Sequence, residues 1–143
     1  MATRASVTAG RARLQRKSIA SKKYSDILFE VKDQVAWITI NRPRVLNAFR
    51  EQTLDQMIEA LKLTREDPTI VCAVITGAGK QSFSAGGDFF AMKRLNFTNA
   101  YMWNDRMLGL AMTIRGLPFT MAITGIGRPR MVIASPSMRS FHM

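Results

Sequence analysis

Read for alternation, the chain becomes organised near Tyr24. ILFEV (27–31) alternates loosely, KDQ (32–34) is polar, and VAWITI (35–40) is β-branched and aromatic. This pattern predicts two strands joined as a hairpin. Pro43 in NRP (41–43) stops the second strand, because proline has no N–H for a ladder. RVLNAFREQ follows, and then the period changes. Leu54, Met57, Ile58 and Leu61 fall at i, i+3, i+4 and i+7, one stripe of a helix. Thr53 with Gln56 has the spacing of a capping box at its start. Pro68 in REDP ends it. TIVCAVIT (69–76) is a near-continuous apolar run, as a strand covered on both faces requires. Phe89 to Leu95 suggests a short helix. A longer one starts at Thr98, with Trp103, Met107, Leu110, Ala111 and Ile114 on one face as core positions. Gly116, Leu117 and Pro118 close it, and MAIT (121–124) reads as a fourth strand. The order is that of an α/β protein.

Three segments emerge. Residues 1–23 are a basic extension, 24–127 carry the patterned body, and 128–143 show neither period nor cap. Composition sharpens this division. The net charge is +11, but residues 1–23 contribute +7, residues 106–143 contribute +5, and the stretch between them is −1. A basic groove on the folded body is therefore not implied, which argues against nucleic acid as a partner. The first 23 residues are rich in Arg, Ser and Thr and free of acids. They read either as a mitochondrial transit peptide or as a disordered extension of a cytoplasmic protein. No apolar run approaches the length of a membrane helix. Cys72 and His142 are the only residues of their types, so an internal disulfide is excluded and no metal site is expected.

Candidate chemistry concentrates in SFSAGGDFF (82–90). A P-loop fails, because Val74 and Gln81 occupy required positions around Gly79-Lys80. A dinucleotide fingerprint starting at Gly77 fails at Ser82. Nucleophilic triads lack a histidine before residue 142. What remains is a Gly-Gly step between a buried strand and a helix start. That arrangement is either a plain turn or a place where backbone N–H groups face an anion.

NRPRVLNAFREQTLDQMIEAL, VITGAGKQSFSAGGDF and IRGLP, in this order and spacing, resemble the enoyl-CoA hydratase/isomerase family, the crotonase superfamily. The resemblance covers roughly residues 24–127 and implies the N-terminal portion of a crotonase-like (ββα)n spiral, incomplete in this chain. It implies an acyl-CoA substrate, with coenzyme A as part of the substrate and no separate cofactor. It also implies a lyase or isomerase reaction of the kind used in fatty acid metabolism, and assembly as a trimer or hexamer through C-terminal helices absent from this chain. The family's first oxyanion donor maps onto the N–H of Gly87. Ala85, Gly86, Asp88 and Phe89 map onto the same pocket, and Arg44, Val45, Asn47 and Ala48 onto the stretch set against the CoA moiety. Asp88 is alternatively a cap for the following helix.

The chain departs from the family pattern after Pro118. The triple glycine that supplies the second donor is missing, and no Asp or Glu follows Asp105, so neither hydratase glutamate can be carried over. A shifted reading frame after Pro118 and an internal loss both account for this. The expectation is a family member impaired in catalysis; the alternative is a non-catalytic acyl-CoA-binding or subunit-assembly fragment.

Overall fold

The computed structural model describes residues 23–123 and 132–134. The predicted hairpin forms: β1 (Ile27–Lys32) pairs antiparallel with β2 (Val35–Ile40), Ile27 opposite Ile40. The polar tip turns through Asp33 and Gln34, both with positive φ. A 3-10 turn, Pro43–Val45, leads into helix α1 (Glu51–Glu66). Strand β3 (Cys72–Gly77) then returns parallel to β2. Helices α2 (Phe89–Met92) and α3 (Phe97–Arg115) follow, and β4 (Thr120–Ile123) lies parallel to β3. Strand β5 (Val132–Ala134) closes a sheet of order β1-β2-β3-β4-β5.

The alternation of the hairpin strands is read out directly. Ile27, Ala36, Ile38 and Ile40 point to the face covered by α1 and are buried. Ala73 and Ile75 of β3 continue that face, and Met57, Ala60 and Leu61 close it from the helix. Fully burying an aliphatic side chain of this size is worth about 1.5–3 kcal/mol, so this layer carries the bulk of the fold's stability.

Several boundaries differ from the sequence reading. Strand β3 starts at Cys72, not Thr69, because Asp67 folds the preceding residues into a turn, accepting from the N–H and hydroxyl of Thr69. Helix α1 starts at Glu51, two residues before the predicted cap. Thr53 stands inside the first turn, its hydroxyl accepting from the Arg50 N–H and donating to Asp26. Gln56 accepts from the Asp26 N–H instead of capping its own helix. Thr53 thus still caps the helix start locally, as its N3 residue, while Gln56 is drawn to a partner distant in sequence. Helix α2 spans one turn rather than reaching Leu95. The stripe of α3 is only partly core: Trp103 is buried and Leu110 and Ile114 pack on the core, whereas Met107 and Ala111 are exposed. That helix packs along α1, so one side of its stripe stays uncovered. The segment 128–143, which showed no pattern, contributes β5, a run too short for periodicity to reveal. The proposed transit peptide, residues 1–22 almost entirely, and the residues around Gly127 lie outside the described residues.

Candidate functional site

The two loops singled out in the sequence are neighbours in space. After the 3-10 turn, Leu46 and Asn47 both take positive φ (52° and 56°) and reverse the chain. Asn tolerates this conformation well; Leu does so at a cost. The reversal turns Asn47 inward, where it is 1% exposed. Its side-chain oxygen accepts from the Arg42 N–H at 3.0 Å. Its amide group donates to the carbonyls of Ala78 at 2.8 Å and Ser82 at 2.7 Å. One side chain thus staples the turn after β2 to the loop after β3.

Gly77 makes room for that staple. A Cβ there would meet the carbonyl oxygens of Phe83 and, at 2.7 Å, of Ser82, as well as the Asn47 side-chain nitrogen at 2.8 Å. Ser84 adds a further tie, donating to the Asn47 carbonyl at 2.8 Å and accepting from the Gly86 N–H at 3.2 Å.

Phe49 and Gly87 then form a parallel bridge. The Phe49 N–H donates to the Gly86 carbonyl and the Asp88 N–H donates to the Phe49 carbonyl, each at 2.8 Å. A trans peptide places its N–H opposite its C=O, so fixing the Gly86 carbonyl on Phe49 points the Gly87 N–H the other way. Of the amides at 85–88, Ala85 donates to the Leu46 carbonyl, Gly86 to Ser84 and Asp88 to Phe49. The Gly87 N–H has no partner among the described residues. Gly86 itself needs glycine for its φ of +92°, with open space around it. Gly87 lies over Met92 and the Trp103 ring, which in turn stacks with Phe49 at 6.0 Å.

Asp88 is 8% exposed and caps α2, accepting from the N–H groups of Phe90 and Ala91. Its other oxygen pairs with Arg42 at 2.8 Å. Burial works to raise this carboxyl, but the hydrogen bonds from Arg42 and from the Ala91 and Phe90 amides outweigh it and hold it below the usual carboxylate range. The carboxylate is therefore engaged on both sides. Asp26, 2% exposed, receives Arg50 in a fork (2.7 and 2.8 Å) and the Thr53 hydroxyl. The Arg50 hydrogen bonds, against the opposing effect of burial and with help from Thr53, bring Asp26 down to about 2.

Other predicted positions divide by exposure. Arg44 and Val45 stand exposed on the 3-10 turn, and Ala48 is buried beside Asn47. Ala85 and Phe89 are exposed, Phe89 at 72%. An apolar cavity of about 180 Å³ lies at the C-terminal ends of the parallel strands, lined by Ile40, Ile75 and Ile123 together with Phe49, Phe83 and Met107. Open parallel sheets present ligand sites at this end. The sequence reading missed Phe49, Arg42 and Asp26. The first shares the NAFR motif with Asn47, but its role is in its backbone. The others showed no signal beyond being charged residues beside the strands. Among the described residues no group of acids, Cys or His could hold a metal ion, and no helix is long and apolar enough to cross a membrane.

A mixed sheet with a Gly-rich loop at the C-terminal ends of its parallel strands, backed by helices, defines an α/β class of fold. The profile of the enoyl-CoA hydratase/isomerase family matches residues 30–126, and the chain belongs to that family. Solved structures agree. An enoyl-CoA hydratase/isomerase from Xanthobacter autotrophicus Py2 is 28% identical, with a TM-score of 0.67 over 73% of this chain and 40% of that one. A probable enoyl-CoA hydratase from Mycobacterium thermoresistibile is 30% identical, with a TM-score of 0.63 over 75% of this chain and 43% of that one. The enoyl-CoA hydratase from Bacillus anthracis, 21% identical with a TM-score of 0.68 over 72% of this chain, shares the fold. The chain thus spans about two fifths of the length of these proteins and forms part of the crotonase fold.

Proposed function

We propose that this chain binds an acyl-CoA thioester and polarises its carbonyl with the Gly87 N–H. The observation that supports this reading is the amide itself: it has no partner among the described residues, and its peptide is held from behind by Phe49. A thioester oxygen seated about 2.7–3.1 Å from that nitrogen gains most as it takes on enolate charge. The acyl chain fits the apolar cavity beyond Phe49, and exposed Arg44 stands where it can meet a CoA phosphate.

Catalysis by this chain is impaired. One preorganised donor supplies roughly 10²–10³ in rate, and general acid–base groups supply roughly 10²–10⁴ more. Asp88, the carboxylate adjoining the donor, is committed to Arg42 and to α2. It is not available to move a proton.

The test follows the Gly87 amide by ¹⁵N–¹H NMR during titration with crotonyl-CoA, alongside hydration of crotonyl-CoA read by loss of conjugated-thioester absorbance. The Gly87 resonance moves on saturation, and turnover stays more than tenfold below that of a full-length family enzyme. A Gly87 resonance that ignores millimolar crotonyl-CoA sinks the reading.

A second reading, as an assembly piece, is favoured by the aromatic surface of α2 and the start of α3. Phe89 and Phe90 are each 72% exposed and Phe97 is 85% exposed. Co-purification with a full-length family subunit tests it.

A further inference from the structure

The geometry points to Arg42 as the positioning residue of this site: its guanidinium clamps the two segments of the Phe49–Gly87 bridge together and so sets the direction of the Gly87 N–H. The inference rests on the proposed role of that amide, but the clamp has its own observable.

The bridge is a single pair of residues held by two hydrogen bonds. An isolated bridge has no neighbouring ladder to keep it in register, so something else must hold its two segments together. Arg42 is placed to do so. One of its terminal nitrogens donates to the Ala48 carbonyl, on the segment that carries Phe49. The other meets the Asp88 carboxylate at 2.8 Å, on the segment that carries Gly87. The Arg42 side chain is 16% exposed and the Asp88 side chain 10% exposed, so the pair is largely out of water. Its Nε faces Asp26 at 3.7 Å, which keeps the head group from swinging away.

The planar fork of arginine is what this task requires. It presents donors in fixed directions at once to a carbonyl and a carboxylate, whereas a lysine ammonium is a point charge on a flexible stem. Phe49 makes both bridge hydrogen bonds across the gap that Arg42 spans, donating to the Gly86 carbonyl and accepting from the Asp88 N–H. The Gly86 carbonyl is the acceptor of one of them, and the peptide plane passes that orientation on to the Gly87 N–H.

The experiment is residue-resolved hydrogen exchange on the full chain for the wild type, Arg42→Lys, Arg42→Gln and Asp88→Asn, with Arg65→Gln as a charge-matched control on the exposed end of α1. The expected result is a loss of protection of tenfold or more at the Phe49 and Asp88 amides in Arg42→Gln, with Arg42→Lys intermediate. Protection of the sheet amides at Ile38 and Ile75 stays within threefold. Asp88→Asn reproduces the local loss while keeping an acceptor for the α2 cap, so the inference stays testable even where Arg42→Gln fails to fold. Unchanged protection at Phe49 and Asp88, or a uniform loss across the sheet, overturns the clamp. Titration of the wild type with crotonyl-CoA runs in parallel. A silent Gly87 resonance there rejects the acyl-CoA reading and leaves the exchange data to decide the clamp.

Discussion

Phe49 and Gly87 meet as one isolated parallel bridge, and the hydrogen bonds on either side of it join residues from two loops some forty positions apart in the chain. The bridge converts a flexible Gly-Gly step into a fixed peptide. Its consequences can be measured at the residues that support it.

The glycines of this region differ in what they tolerate. Gly77→Ala drives a methyl into the Phe83 and Ser82 carbonyls, which are backbone and cannot yield cheaply. Gly86→Ala has open space and meets only the cost of a positive φ, about 1 kcal/mol. Urea denaturation should therefore rank Gly77→Ala well below Gly86→Ala, with Gly77→Ala losing about 3 kcal/mol or more. Equal midpoints would contradict the packing described around Asn47.

Asn47→Ala removes three part-buried hydrogen bonds together, to the Arg42 N–H and to the carbonyls of Ala78 and Ser82. The expected loss is roughly 2–4 kcal/mol in chemical denaturation. A loss under 1 kcal/mol would show that the turn holds itself.

Acid should weaken the fold through Asp26. Its folded value of about 2 lies below the model-peptide value of 3.8. A depressed carboxyl contributes stability that is fully present above the unfolded value and is lost as pH falls through the folded one. Stability should accordingly decline between about pH 5 and pH 2, with Asp88 acting in the same direction. Asp26→Asn should lower stability at pH 7 and flatten this decline. The check is the denaturation midpoint at pH 7, 5 and 3 for both proteins.

Arg106→Ala serves as the contrast. Arg106 pairs with Asp55 at 2.9 Å, but the Asp55 side chain is 54% exposed. Exposed pairs of this kind contribute about 0–1 kcal/mol. The melting temperature should barely move, whereas Arg50→Ala, which takes the two-point fork off buried Asp26, should lower it by several degrees.

Much of the scaffold was legible along the chain because its strands and first helix bury one face each. Alternation in VAWITI and the i, i+3, i+4 stripe from Leu54 are imprints of the same core, and both elements appear where they were expected. Pro43 and Pro68 marked ends for reasons of local chemistry. The match of NRP, NAF and SAGGD in order brought the family into view from letters alone, and the family profile bears it out.

Other features had no local signature. Thr53 looked like the N-cap because its sequence neighbours fit one; it sits at N3 instead, accepting from the Arg50 N–H, and its hydroxyl proton goes to Asp26, twenty-seven positions away. Arg42 stood beside Arg44 with nothing in the sequence to rank them, yet one is half-buried between two carboxylates and the other is exposed. Asp88 offered two readings, and only the folded chain shares its carboxylate between Arg42 and the α2 amides.

By itself, the sequence determined the order and type of the main strands and helices and to which family the chain belongs, since these follow from the spacing of side chains along each segment; their exact ends did not. Tertiary structure alone decided that the loop after β2 and the loop after β3 meet, that Phe49 turns the Gly87 N–H away from itself, and that Arg42 joins the two segments. Those outcomes depend on hydrogen bonds between distant segments, whose directions exist only once the sheet and α1 have brought the backbones together.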